Sequence, residues 1–128
     1  RDFSFKLNRK VRRLALRMAL TTKYQQGRLI VVDDLNVVDA DGQPTYKTKF
    51  VKRAIDSLKN DARSFLFVDG EVLHKDFEKG SMALATVDAL NIRGLNVYDM
   101  LRREYLVLTR QALEWLDSKY HEQIELNE

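Results

Sequence analysis

LIVVDD, residues 29–34, runs four apolar residues into two adjacent carboxylates, and the reading of that run decides the fold. A continuous apolar run of this kind suits a strand in a sheet covered on both faces. It also poses a functional question. In a phosphoacceptor receiver domain or a magnesium-dependent phosphotransferase, such a strand delivers an acidic pair to a metal; elsewhere, Asp33 and Asp34 end a strand in a solvated turn.

Upstream of the run, Val11, Leu14, Ala15 and Met18 recur at helical spacing, with Leu7 one turn before them and no glycine or proline until Gly27. The pattern predicts a long amphipathic helix over about 8–26, stopped by Gly27. Downstream, residues 35–46 include DADGQPTY with the only proline, Pro44, and read as a surface loop. Phe50, Val51, Ala54, Ile55 and Leu58 mark a second amphipathic helix, and SFLFVDG a second strand closed by Gly70. One or two short helices around Gly80 fill 71–85, and VDALNI is a third strand. Asn96 reads as a helix N-cap with Asp99 reaching back to it, and that short helix ends at Arg102 or Arg103. YLVLT is the fourth strand, after which Thr109 caps a last helix with Ala112, Leu113, Leu116 and Tyr120 on one face.

Strands at about 28–33, 64–68, 87–92 and 105–109, alternating with helices and ending in one over about 110–123, predict an α/β fold: a three-layer α/β/α sandwich with a mostly parallel sheet of about four strands. Residues 1–128 are expected to form a single domain, since a chain of this length with 45% hydrophobic residues can build one core. The absence of cysteine excludes disulfides, a thiolate nucleophile and a cysteine-bearing zinc site. Apolar runs are strand-sized, far short of a bilayer span, so no membrane role is expected. The chain begins with Arg1 rather than Met, which is compatible with removal of a leader, a propeptide or a whole preceding segment.

The acidic pair fits a receiver-type site poorly. Such a site needs its phosphoacceptor two strands after the pair, then a hydroxyl residue and a lysine at further strand ends. Here Asp69 follows the very next strand, and Thr109 is succeeded by Arg110, with the next lysine, Lys119, inside a helix. A cation held by Asp33, Asp34 and Asp69 is the rival reading, because strand ends of α/β sheets are where such sites form. His74 and His121 read as solvated surface histidines. With five glycines and neither G-x-G-x-x-G nor a P-loop, there is no phosphate-cradling loop. No catalytic residue, resident metal, cofactor or small-molecule substrate is assigned, and the protein is not expected to be an enzyme.

Charge is the stronger signal. The net +3 hides an asymmetry: residues 1–27 carry eight basic residues and one acidic residue, whereas the remainder carries 14 basic and 18 acidic residues. A positive end on an otherwise acidic chain predicts a polyanionic partner for that end. Lys6, Lys10, Arg13 and Arg17 form one ridge at helical spacing, flanked by Arg9 and Arg12, with no interleaved glutamate. Phosphates would neutralise this repulsion and release counterions. Lys47, Lys49, Lys52 and Arg53 open the second helix against its dipole and point the same way. Aromatic residues do not interleave with the stripe, so phosphate and shape contacts to a folded RNA are expected, with little base readout. A third reading, a protein-interaction module, would use Trp115 on the last helix as its anchor.

RDFSFKLNRKVRRLALRMAL, GRLIVVDDL, KTKFVKRA and GLNVYDMLRREYLVLTRQALEWL, in this order through most of the chain, resemble the bacterial and organellar large-subunit ribosomal protein of the L-four family. The resemblance implies an RNA-binding, non-catalytic constituent of the large ribosomal subunit that supports translation beside neighbouring ribosomal proteins. It also implies a glycine- and arginine-rich tunnel loop immediately before RDFSFKL; that loop and the family's amino-terminal portion are not in this sequence. By position, Arg1, Lys6, Arg9, Lys10, Arg12, Arg13 and Arg17 become the first candidates for ribosomal RNA contact, Lys47 and Lys49 the second, and Asn96 and Tyr98 the third; Lys23, in the same basic segment, is added to the expected RNA-binding set. The LIVVDD strand is scaffold in this reading. The longer DADGQPTY loop, the shortened stretch before VDALNI and the hydrophilic SKYHEQIELNE tail look mitochondrial rather than bacterial, so a mitochondrial ribosome is expected, with the bacterial cytoplasm as alternative.

Overall fold

A computed structural model of the chain describes residues 9–127, with side chains through Lys119. The elements in order are α1 (Arg9–Gln25), β1 (Leu29–Val32), α2 (Thr48–Leu58), β2 (Phe65–Asp69), α3 (Lys75–Ser81), β3 (Val87–Asn91), a 3-10 turn (Ile92–Gly94), α4 (Val97–Arg102), β4 (Tyr105–Thr109) and α5 (Arg110–Asn127). The four strands form one sheet in the order β1-β4-β2-β3. Every pairing is parallel, with Leu29 opposite Leu106, Phe65 opposite Tyr105 and Phe65 opposite Val87.

Two apolar cores lie on the two faces of this sheet, and the period of two along each strand divides residues between them. Leu66, Val68, Leu106 and Leu108 face a core completed by Ala19 of α1, Met100 of α4, and Ala112 and Leu116 of α5. Phe65, Phe67 and Val107 face the other, completed by Val51 and Ile55 of α2 and Phe77 of α3. Leu66, Val68, Leu106 and Val107 are wholly buried, each contributing about 1.5–3 kcal/mol relative to exposure. The chain steps from β1 through β2 to β3 with α2 and α3 on one face, then returns to β4 with α4 on the other. A single crossover hand requires that alternation.

The first strand is covered less evenly than its apolar run suggests: β1 lies at an edge of the sheet, Leu29 packs against one core and Ile30 and Val32 against the other, but Val31 is 49% exposed. Residues 35–46 are not wholly a surface loop either: Leu35 and Val37 are buried in the α2 and α3 core. The segment then turns back at a small hairpin tip, where Val38 bridges Pro44 and Gly42 takes the left-handed conformation (φ 79°). Asp39 Oδ1 accepts hydrogen bonds from the backbone N–H groups of Asp41 and Gln43 there.

Of the one or two helices expected around Gly80, a single one forms, α3, with Gly80 inside it. A Cβ at that position would collide with Val51 Cγ2 and stand 2.9 Å from the Tyr46 carbonyl oxygen, so this glycine sets how closely α3 approaches α2. On α5, Ala112 and Leu116 are buried while Leu113 is 41% exposed, and the helix continues past the expected end to Asn127. The side chains of Tyr120 and His121 lie outside those described.

Candidate nucleic-acid interface

α1 contains no acidic residue, so its first turn offers the helix dipole no carboxylate. Its end is a Schellman motif: Gly27 adopts φ 70°, its N–H donates to the Tyr24 carbonyl, and the Arg28 N–H donates to the Lys23 carbonyl. The helix presents a different apolar face to the core from the one its spacing suggests. Ala19 and Lys23 are buried, and Leu16 and Leu20 pack against the same core, whereas Val11, Leu14 and Met18 are 45%, 58% and 62% exposed. Both sets satisfy helical spacing, and the strands beneath select the second.

This rotation fixes where the cations go. Arg9, Lys10, Arg12, Arg13 and Arg17 are all exposed. Lys10, Arg13 and Arg17 follow one another along one side of the helix, between the buried face and the exposed apolar stripe. Arg9 and Arg12 turn towards α4, where with Arg13 they border a cavity of about 610 Å³ whose walls include Ala15, Leu16, Leu95 and Val97. The far wall is held by the cap of α4. Asn96 Oδ1 accepts from the Asp99 N–H at 2.9 Å, and Asn96 Nδ2 donates to Asp99 Oδ2 at 2.7 Å. Asp99 therefore reaches the cap's side chain, and Tyr98 beside it is 73% exposed. Arg1 and Lys6 lie outside the described residues.

Lys23 is a correction to the expected contact set. It is 6% exposed, and its Nζ donates to the carbonyls of Arg103 at 2.7 Å and Glu104 at 3.0 Å. Burial, followed by the neighbouring positive charge of Arg28, lowers its pKa below the usual 10.5, with Glu104 acting in the opposite sense. A side chain so occupied ties α1 to the start of β4 and is not presented to a partner.

Lys47 and Lys49 are exposed at the start of α2, which packs on the opposite face of the sheet from α1. The two basic groups are therefore not brought together. Lys49 Nζ lies 5.0 Å and the Arg53 guanidinium 5.6 Å from the Phe50 ring centroid, contacts worth about 0.5–1 kcal/mol when exposed. Trp115 packs against the α1 and α5 core with Lys119 Nζ 5.5 Å from its ring, so its indole is committed to packing.

The acidic residues do not assemble. β4 lies between β1 and β2, which puts two interstrand spacings, about 9.6 Å, between the ends that carry Asp34 and Asp69. Asp34 Oδ1 accepts from the Asn36 N–H at 3.1 Å, an ordinary strand-exit turn, and Asp33 is exposed. Asp69 is 8% exposed and fully engaged: Oδ1 accepts from the Gly70 N–H and the Thr109 hydroxyl, and Oδ2 from the His74 N–H. His74 is the N-cap of α3, its Nδ1 accepting from the Phe77 N–H, rather than a solvated surface histidine. Among the described residues no group of three acidic or histidine side chains could hold a metal ion.

One group of arginines escaped the sequence reading. Arg28, Arg63 and Arg102 stand just before β1, β2 and β4, and a parallel sheet gathers all strand starts at one edge. They border a cavity of about 590 Å³ with Ser64, Glu104 and the buried Lys23. The available signal was a basic residue ahead of three of the four strands.

Comparison with known proteins bears on this geometry. The profile of the ribosomal protein L4/L1 family matches residues 1–119. The chain is 42% identical over 119 residues to the large ribosomal subunit protein uL4 of Sphingopyxis alaskensis, covering 93% of this chain and 54% of that protein. It is 41% identical over 121 residues to the protein of the same name from Rhizorhabdus wittichii (94% and 55%) and 38% identical over 120 residues to that of Methylorubrum populi (94% and 54%). The chain thus spans about half the length of the curated relatives it matches.

Proposed function

Because this chain belongs to the ribosomal protein L4/L1 family, we propose that it is a non-catalytic structural part of the large ribosomal subunit that holds ribosomal RNA with the basic side of α1. The observation that carries the reading is an acid-free helix with five exposed cations, Arg9, Lys10, Arg12, Arg13 and Arg17, anchored to the sheet by its other side. Cations at these spacings repel one another, and phosphate contacts offset that repulsion while releasing counterions. Arg1 and Lys6 extend the same set in sequence. Lys47 and Lys49 are a second contact on the opposite helix layer, and Asn96 and Tyr98 a third at the mouth of the α1–α4 cavity. Neighbouring ribosomal proteins are the remaining partners of this reading.

The finer assignment within the proposal is a mitochondrial ribosome, supported by the DADGQPTY insertion and the hydrophilic tail. The bacterial cytoplasm is its alternative and fits the bacterial relatives. Cosedimentation of the tagged chain with mitochondrial or with cytoplasmic large subunits, in the cells that make it, separates the two.

The RNA reading is tested by binding to large-subunit ribosomal RNA fragments across a salt series, with charge reversal at Arg12, Arg13 and Arg17. Steep weakening with salt in the native chain, and a slope shallower by about two to three in the triple reversal, is the expected result. Weak, salt-insensitive binding that the reversal leaves unchanged would remove α1 from the RNA.

A further inference from the structure

We propose that the edge of the sheet where the strands begin is a second RNA-phosphate site, formed by Arg28, Arg102 and Arg63 in a row around the cavity above Lys23. It rests on the reading that the partner is RNA, but uses a surface separate from the cations of α1.

Strand order β1-β4-β2 aligns the three arginines, one per strand, across about 10 Å. Among the described residues none of the three guanidiniums makes a hydrogen bond or ion pair, although two carboxylates stand close by. Neither carboxylate pairs with a guanidinium. Glu104 Oε2 accepts from the Arg63 backbone N–H at 3.0 Å, and Asp61 lies 3.9 Å from Lys59 Nζ. The floor of the cavity adds one further positive charge, that of Lys23, whose Nζ is held by two carbonyls; Arg103, also in the lining, is neutralised by Asp88 at 2.8 Å.

The site is thus a concave, polar surface with three outward guanidinium forks and a cationic floor. Each fork can grip a phosphate with two parallel hydrogen bonds. RNA is favoured over an acidic protein segment by the lining: Leu101 is its one apolar side chain, whereas protein interfaces are centred on apolar and aromatic anchors. Burial is the main cause that lowers the pKa of Lys23; Arg28 adds to it in the same direction, as a cation beside the cavity floor does.

The test uses the whole 128-residue chain and intact large-subunit ribosomal RNA, with Arg28→Gln, Arg63→Gln and Arg102→Gln made singly and together. The slope of log affinity against log salt should become shallower by about 0.7–0.9 per substitution and by about two in the triple variant. That loss should add to the loss from the α1 reversals. A triple variant with the native slope, while the α1 reversals still flatten theirs, would overturn the second site and leave the functional reading standing. Failure of the native chain to bind the RNA at all would sink that reading and this site with it. Labelled polyglutamate is the protein-like control: if it binds the native chain, is lost in the triple variant, and RNA binding is unmoved, the cavity serves an acidic protein and the proposal fails. Thermal melts of each variant check the fold, and the single substitutions decide the matter if the triple variant melts early.

Discussion

At the scale of single residues, the side chain that sequence most misplaced is Lys23. Its position in a basic segment reads as one more surface cation, and nothing in the local pattern says that two carbonyls from 80 residues later will enclose its ammonium. Long-range satisfaction of a polar group leaves no periodic trace. The consequence is measurable. Lys23→Met keeps much of the volume but strands the buried carbonyl of Arg103, and should cost about 2 kcal/mol in denaturant unfolding. The pH dependence has a definite sign. A lysine whose folded pKa is lowered binds its proton more weakly in the native than in the unfolded chain, so its contribution to stability rises with pH through the window between the folded pKa and 10.5. The stability difference between the native chain and Lys23→Met should widen across that window. A difference that narrows there would mean that the ammonium, not the amine, is the form the site favours.

At the scale of elements, legibility depended on how many faces a segment uses. β2 and β4 are covered on both sides, and FLFVD and YLVLT were legible as strands because nearly every position is apolar. The caps at Asn96 and Thr109 were legible because capping is local: Asn96 Oδ1 takes the Asp99 N–H and Thr109 Oγ1 the Ala112 N–H. α1 was legible as a helix but not in its rotation, since Val11, Leu14 and Met18 offer a stripe as regular as that of Leu16, Ala19 and Leu20. Gly80 left one helix or two open for a related reason. A glycine that permits close approach of two helices and one that ends a helix look alike until the second helix is in place. Gly80→Ala should therefore destabilise the fold by about 1–3 kcal/mol despite alanine's better helix propensity, because the new methyl meets Val51 and the Tyr46 carbonyl. A shift of the urea midpoint to lower concentration, with an unchanged m-value, is the expected signature. A gain in stability would mean that α2 and α3 separate without cost.

At the scale of the whole molecule, strand order decides both which acids can meet and which cations can. Insertion of β4 between β1 and β2 keeps Asp34 from Asp69, so Asp34→Asn should leave the melting midpoint in millimolar magnesium where the native chain has it. A magnesium-dependent rise that this substitution removes would restore the acidic pair as a site. The same sheet keeps the basic start of α2 from the basic side of α1. Helices about 10 Å across on opposite faces of a sheet hold their outer charges well beyond the roughly 8 Å Debye length of physiological salt, so the two groups act independently. With an RNA fragment no larger than one helix, chosen for binding that the Arg12, Arg13 and Arg17 reversals abolish, Lys47→Glu with Lys49→Glu should change affinity by less than about threefold, within ordinary additivity for distant sites. With intact large-subunit RNA the two sets of substitutions should multiply. If the α2 pair weakens the short fragment as strongly as the α1 reversals do, the charges act through the overall field rather than through separate contacts, and raising the salt would erase both effects together.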